Sequence, residues 1–260
     1  MRIVSLCPSL TELVFDLGRG ADLVGATDWC VHPKPAVDAI EKVGGTKDPR
    51  ISRIVELAPD LVLLNEEENR REDAEALAAA GLRCYASFPR DVAGTAAMVR
   101  SIAAAVERPE QGERIAAEIE RRAERVRRDR AGRPPIRFAY LIWRKPWMSC
   151  NRDTFASELL CLAGGVNVFA HVPVRYPEFT PPELARAEPQ LVLLCTEPFP
   201  FTDKHSDELA RETGLPREHF VIADGEYLSW HGSRTPDGID YAERLIGLAR
   251  NGISRTTSYG

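Results

Sequence analysis

No stretch of 18 or more consecutive apolar residues occurs in this 260-residue chain, so nothing in it is long and oily enough to span a membrane as a helix. A basic excess is also missing. The formal net charge is −5, which leaves no general electrostatic footprint for nucleic acid or anionic lipid. The six cysteines, Cys7, Cys30, Cys84, Cys150, Cys161 and Cys195, form no C-x-x-C pair, which argues against a zinc ribbon or a thioredoxin-like motif. Cys84 and Cys195 lie in apolar stretches, so the thiols read as buried or half-buried small hydrophobes of a reducing compartment. There is no G-x-x-x-x-G-K-[ST], no G-x-G-x-x-G and no G-x-S-x-G. Nucleotide fingerprints and the hydrolase elbow are therefore absent. Export features are lacking as well: Met1-Arg2 leads straight into strand-like Ile3–Leu6, without a basic region, a longer apolar core or a cleavage site. The sequence as it stands is expected to work in the cytoplasm, or in the periplasm if a leader has been lost.

What is present is an ordinary globular composition, 44% hydrophobic and 28% charged, enough for one large domain or two small ones. An internal repeat favours two. Residues 53–67 and 183–197 each read as a short helix, a proline, a polar residue and a Leu-Val-Leu-Leu run, at Leu61–Leu64 and Leu191–Leu194. A second echo, strand, polar loop, helix and glycine, joins residues 2–18 to residues 137–164 in the same order. Alternating strands and helices argue for parallel sheets covered by helices. The expected strands are Ile3–Leu6, Leu23–Ala26, Leu61–Leu64 and Leu82–Ala86, then Phe138–Ile142, Val166–Phe169, Leu191–Cys195 and His219–Ile222. Ser9 is expected to cap the first helix, with Glu12 completing a capping box. Glu72–Ala80 reads as a helix stopped by Gly81.

A different segment separates the halves. Ala93–Glu107 reads as an alanine-rich helix, and Pro109 opens a second helix running to about Arg130. Some 22 residues of helix span roughly 33 Å. Its apolar stripe is Ile115, Ile119, Ala123 and Val126. Its arginines interleave with Glu118, Glu120, Glu124 and Asp129, a solvated face with i,i+4 pairs rather than a nucleic-acid patch. The expected organisation is an α/β lobe over residues 1–92, connecting helices over 93–132 and a second α/β lobe over 133–260. The long helix between two parallel-sheet lobes is expected to fix their separation.

Ligands of open parallel sheets bind beyond the carboxyl ends of the strands, so the residues after each strand are the candidates. All four tryptophans, Trp29, Trp143, Trp147 and Trp230, read as belonging to such loops and none to a core element. Aromatic faces with a few polar groups are what a small-molecule cleft needs. Arg144, Lys145, Arg152, Arg175 and Arg234 make the second-half loops basic, and Glu66–Glu68 make a first-half loop acidic. Cys30 and His32 share a loop, but their spacing is too weak a sign of nucleophile and base. His32, His171 and His231 also follow strands, near Asp28 or Glu178, without any metal-ligand spacing, and no protein–metal site is expected.

The stretches Arg2–Gly18, Leu23–Thr27, Lys42–Gly45, Ile54–Val62 and Leu160–Phe169 resemble, in family order, the solute-binding proteins called helical backbone metal receptors. These are class III periplasmic-binding-protein-like importer components for vitamin B12, ferric siderophores and haem. Ser5–Glu12 is most similar to the vitamin B12-binding branch, and Trp29 falls where that branch packs an aromatic on the corrin. Two positions depart from it. Asn65-Glu66-Glu67 stands where the branch has a corrin-packing tryptophan, and the permease-docking acids fall in mixed contexts at Glu72 and Asp203.

The resemblance implies a non-enzymatic binding protein with no intrinsic cofactor. It would hold cobalamin or another corrinoid in the inter-lobe cleft as the substrate-binding component of an ABC importer, as a monomer, with a permease as partner. Trp29, Trp143, Trp147, Tyr227 and Trp230 would stack on the ligand. Arg144, Lys145, Arg175 and Arg234 would meet its polar or anionic groups. Ser9 and Asn65 would hydrogen-bond, with Asp28 and Glu66 beside them. The alternatives are a ferric siderophore or haem binder, with Tyr176 and His231 as axial candidates, a cytosolic carrier or sensor on the same scaffold, and a metal-dependent hydrolase.

Overall fold

The computed structural model describes residues 1–252. The chain divides into two compact units. The first comprises Met1–Pro89, Ala93–Glu120 and the short returning segment Trp230–Arg234; the second comprises Arg90–Val92, Arg121–Ser229 and the stretch from Thr235. Residues 93–132, read from sequence as a connector, are thus shared between the units. Among the described residues no helix is long and apolar enough to cross a membrane.

The elements of the first unit are β1 (Ile3–Ser5), α1 (Pro8–Asp16), β2 (Leu23–Ala26), α2 (Ile51–Glu56), β3 (Leu61–Asn65), α3 (Arg71–Ala79), β4 (Cys84–Ser87) and α4 (Val92–Ala105). Next comes α5 (Pro109–Asp129), which starts in the first unit and ends in the second. The second unit adds β5 (Ile136–Trp143), β6 (Trp147–Ser149), α6 (Phe155–Leu162), β7 (Gly165–Asn167), β8 (Glu178–Phe179), α7 (Pro181–Arg186), β9 (Leu191–Cys195), α8 (Asp203–Thr213), β10 (Phe220–Ala223), α9 (Gly225–Ser229) and α10 (Thr235–Arg250).

The first sheet is fully parallel in the order β2-β1-β3-β4. The second contains the parallel set β7-β5-β9-β10, the same order. The repeat read in the sequence is therefore a repeat of topology, and it reaches individual bonds. The Arg2 backbone N–H donates to Asp60 Oδ2 at 2.7 Å and its guanidinium to the Leu57 carbonyl at 2.7 Å. The Arg137 backbone N–H donates to Gln190 Oε1 at 2.9 Å and its guanidinium to the Ala187 carbonyl at 2.6 Å. Ala58 and Glu188, one before each proline, both turn the chain at positive φ, 45° and 46°. The central strands β3 and β9 are buried along their whole length, as uninterrupted Leu/Val runs covered on both faces require. Each such side chain contributes about 1.5–3 kcal/mol by leaving water.

Three local expectations change. Helix α1 begins at Pro8 with Cys7 as N-cap, and no side chain caps it. Ser9 lies inside the helix because proline is suited to a first helical position, and Glu12 is released for another partner. The second sheet carries two antiparallel strands, β6 and β8, at one side of β5. The stretch after Ile142 is consequently strand, hairpin and strand, and Trp143 and Trp147 belong to β5 and β6 rather than to a loop. The arginines of α5 pair along the helix, Arg127 and Arg128 with Glu124, and also reach beyond it. Arg122 pairs with Asp237 and Asp240, and Arg125 with Asp240 and Glu243 of α10 as well as Asp129.

All six cysteines are free; Cys7, Cys30, Cys150 and Cys195 are buried, Cys84 and Cys161 half-buried. Burial pushes the thiols of Cys7 and Cys195 up to about 12, leaving on the order of one in ten thousand as thiolate at pH 8. Iodoacetamide at pH 8 is expected to label Cys84 and Cys161 first, with Cys7 and Cys195 labelled only on unfolding. Peptide mass mapping over a time course checks this, and early labelling of Cys7 would contradict it.

Candidate functional site

In the first unit the carboxyl ends of β1, β2 and β3 meet the segment that follows Lys42. The Asp28 backbone N–H donates to the Gly44 carbonyl at 2.9 Å. A Cβ on Gly44 would lie 2.7 Å from the Asp48 carbonyl and one on Gly45 2.2 Å from Asp48 Oδ1. Only glycine fits this turn, which also needs φ of +99° at Gly44. The turn brings Gly45 beside Trp29, whose Nε1 would be 3.6 Å from a Cβ there. Trp29 itself is 65% exposed, and Asp28 is exposed next to it. A large indole held on a rigid turn and left in water is a contact surface waiting for an apolar partner.

Asn65 has a different role from the expected one. It is 1% exposed. Its Oδ1 accepts from the backbone N–H groups of Glu67 at 2.9 Å and Glu68 at 3.2 Å. Its Nδ2 donates to the Ser87 carbonyl at 3.0 Å and lies 3.3 Å from His231 Nε2. Asn69 completes the web: Oδ1 accepts from the Asn65 N–H at 2.8 Å, and Nδ2 donates to the carbonyls of Leu6 and Thr46 at 2.9 and 3.0 Å. These two amides tie β1, β3, β4 and the glycine turn together. Asn65 therefore shapes the acidic loop and does not itself face solvent. Glu66 at the tip is exposed, while burial raises the Glu68 carboxyl above its ordinary range against the opposing pull of Lys47 and Thr46.

The returning segment belongs to the same unit and carries three more of the predicted site residues. Trp230 is 8% exposed; it packs edge-on to His32 at 5.7 Å, with the Arg234 guanidinium 4.8 Å over its ring. His231 is buried against Asn65. Arg234 makes two bonds to Glu12, at 2.8 and 2.7 Å, which is where the released helix acid goes. These groups pack and pair within the unit, and His231 meets Asn65 through Nε2. Ser9 is buried beside Cys7, Oγ to Sγ 3.3 Å. Burial raises the Asp16 carboxyl as well.

In the second unit the strand ends carry an aromatic cluster. Trp147 stacks on Phe201, 6.0 Å between centroids and 5° between planes, and on Phe179 at 6.4 Å. It is half-buried and packs against the core cluster of this unit from a strand rather than from a loop. Trp143 at the end of β5 is 40% exposed and meets Phe199 edge-on at 5.6 Å. Phe199 was not singled out from sequence; the signal was its spacing from Phe201 in a proline-rich turn after β9. Two of the basic residues make ion pairs, though Arg144 Nε and Arg175 Nε and Nη2 are buried without a hydrogen-bond partner among the described residues. Arg144 pairs with Glu208 and lies 5.5 Å over Trp147. Arg175 reaches Asp153 at 3.5 Å and lies 5.8 Å over Tyr176. Lys145 is exposed. Tyr227, half-buried in α9, leans on Tyr241 at 5.3 Å.

Glu72 and Asp203 occupy matching places. Helices α3 and α8 follow β3 and β9 of the repeat, and the two acids sit in their first turns, both exposed. An acid there also suits the helix dipole, and Asp203 pairs with Arg217 at 2.9 Å. Among the described residues no group of three or more His, Cys, Asp or Glu side chains could hold a metal ion.

Comparison with known proteins fits this geometry. The periplasmic binding protein family pattern matches residues 3–226. The chain is 28% identical over 205 residues to the vitamin B12-binding protein of Vibrio cholerae serotype O1, covering 79% of this chain and 71% of that one. It is 28% identical over 194 residues to the vitamin B12-binding protein of Photorhabdus laumondii, covering 75% and 70%. Among solved structures, the periplasmic vitamin B12-binding protein BtuF of Vibrio cholerae matches with a TM-score of 0.83 at 24% identity, over 96% of this chain and 97% of that one. The periplasmic haem-binding protein RhuT of Roseiflexus sp. RS-1 matches with 0.82 at 24%, over 98% and 99%. These last two likenesses speak for the fold, which two ligand chemistries share. Residues 3–226 carry the family pattern on two α/β units of like topology, and the chain belongs to the periplasmic binding protein family.

Proposed function

We propose that this protein binds a corrinoid, cobalamin being the leading candidate, as the non-enzymatic substrate-binding component of an importer. The observation that carries the reading is Trp29, 65% exposed on a rigid turn at the strand ends of the first unit. The second unit offers Trp143, 40% exposed and backed by Phe199. Flat apolar faces of this kind suit a large planar ligand. The vitamin B12-binding relatives, similar over three quarters of the chain, direct the choice among such ligands. A haem reading has less support here, since His231 is committed to Asn65 and Tyr176 lies under Arg175.

Glu72 and Asp203, at matching first turns of α3 and α8, are proposed to dock onto basic residues of a permease. Periplasmic placement, as in the Vibrio cholerae protein, and a monomeric state belong to the same reading. Calorimetric titration of the metal-free protein with hydroxocobalamin tests it. Saturable one-to-one binding at micromolar or tighter affinity is expected. No heat with hydroxocobalamin and saturable binding of haemin would overturn the corrinoid assignment and leave the scaffold reading intact.

A further inference from the structure

The first unit holds its exposed indole through the backbone on either side of it. Trp29 is 65% exposed, so burial of the ring fixes little of its position. Asp28 and Trp29 are the two central residues of a tight turn, closed by the Cys30 N–H donating to the Thr27 carbonyl at 3.1 Å. The residues at its two corners, Thr27 and Cys30, are buried. Thr27 Oγ1 and Thr11 Oγ1 each lie 3.1 Å from Cys30 Sγ, so the thiol is lodged between the end of β2 and helix α1.

The carbonyl of Cys30 has a different partner. The Lys42 ammonium donates to it at 2.8 Å. The backbone of Lys42 is itself fixed beside the end of β2: the Ala26 N–H donates to the Glu41 carbonyl and the Val43 N–H to the Ala26 carbonyl, both at 2.9 Å. The Arg50 guanidinium donates to the Lys42 carbonyl. Two residues on, the Gly44 carbonyl accepts from the Asp28 N–H. The stretch from Lys42 to Gly44 therefore grips the turn on both sides of Trp29, by a side chain at Cys30 and by the backbone at Asp28. All of these groups lie in the first unit. Lys42 is half-buried, and a hydrogen bond from an ammonium is roughly twice as strong as one between neutral groups.

We infer that Lys42 is a positioning residue for ligand binding: by holding the Cys30 carbonyl it sets the Trp29 indole in the orientation that the ligand meets. A ring left in water and carried on a loose turn would have to be ordered when the ligand arrives. Ordering it beforehand removes that cost from the affinity. Lys42 acts through Trp29 and not by a contact of its own with the ligand. The inference rests on the reading of Trp29 as a ligand contact and deepens it.

The test is a double-mutant cycle with a spectroscopic readout beside it. Lys42→Met removes the ammonium and keeps most of the aliphatic stem. Calorimetry with hydroxocobalamin is expected to show about fivefold weaker binding by Lys42→Met than by the parent, the scale of ordering one large side chain. In a Trp29→Ala background the same substitution is expected to change binding by less than about twofold, because the group it acts through is gone. The second readout needs no ligand. The near-ultraviolet circular dichroism of Trp29, taken as the parent spectrum minus that of Trp29→Phe, reports a ring held in one arrangement. That band is expected to be largely lost in Lys42→Met, with thermal unfolding showing that the variant is folded. Equal weakening in both backgrounds would overturn the inference, as would weakening in neither. A Trp29 band that survives Lys42→Met would overturn it too. If the parent binds no hydroxocobalamin, the corrinoid reading falls, and the band alone decides whether Lys42 holds Trp29.

Discussion

Replacing Trp29 by alanine is expected to weaken hydroxocobalamin binding by about 2 kcal/mol, roughly thirtyfold, the scale of a central aromatic anchor. Thermal stability should stay within about 0.5 kcal/mol, since exposed substitutions away from caps and buried networks rarely exceed that. The reason lies in where the indole sits. It is 65% exposed and perched over the Gly44-Gly45 turn, so the unit loses little packing when it goes. Trp230→Ala provides the contrast. That ring is 8% exposed, against His32 and under Arg234. Its truncation should cost about 3–5 kcal/mol of stability, and any loss of binding would track loss of fold. Calorimetry and thermal unfolding of the two variants separate these roles. A Trp29→Ala protein that binds as tightly as the parent would remove Trp29 from the site.

How much of this was legible in advance follows from which signals are local. The repeat was readable because a doubled helix-Pro-strand unit leaves its pattern in adjacent residues, Arg53–Glu67 and Glu183–Glu197. The matched positive φ at Ala58 and Glu188 is the backbone form of that pattern. The buried strands β3 and β9 were found almost to the residue, because an unbroken apolar run has few other homes in a parallel sheet. The β5–β6 hairpin was missed. Its turn is Arg144-Lys145-Pro146, with Lys145 at φ 68°, and the charged residues there read as a ligand loop rather than as a turn between strands.

The site was legible in its residue types and not in their partners. A strand-end tryptophan looks alike in sequence whether it faces water, as Trp29 does, or packs half-buried against a core, as Trp147 does. What decides is a contact far along the chain: Phe179 and Phe201 for Trp147, His32 for Trp230. The arginines show the same thing more sharply. Arg234 and Glu12 are 222 residues apart, and nothing local marks the pair. Loops rich in arginine were read as anion receptors, and long-range pairing ties Arg144, Arg175 and Arg234 to Glu208, Asp153 and Glu12.

A polar effect on folding is expected at Asn65. Asn65→Ala would remove the acceptor of the Glu67 backbone N–H and one bond each from the Glu68 N–H and the Ser87 carbonyl, which keep the Asn65 carbonyl at 3.2 Å and the Glu66 N–H at 3.0 Å. Each orphaned buried group costs about 1–3 kcal/mol. Only one group loses its sole partner, so a net loss of about 2 kcal/mol is expected, near 6 °C in Tm for a chain of this size. Asn65→Asp is the sharper test because it keeps the shape and the acceptor while replacing the donor by an anion. At 1% exposure, with the Ser87 carbonyl facing it, that carboxyl would be pushed up from its ordinary range, because burial disfavours the charged form. A carboxyl whose folded-state value is raised binds its proton more tightly in the folded state than in the unfolded one. The variant should therefore be least stable relative to the parent at pH 8 and should recover as pH falls through the raised value, where the acid O–H can donate to Ser87. The measurement is the difference in unfolding free energy between variant and parent from pH 8 to pH 5. A difference that stays flat over that range would mean that Asn65 is not the donor to Ser87, and that the acidic loop is held in some other way.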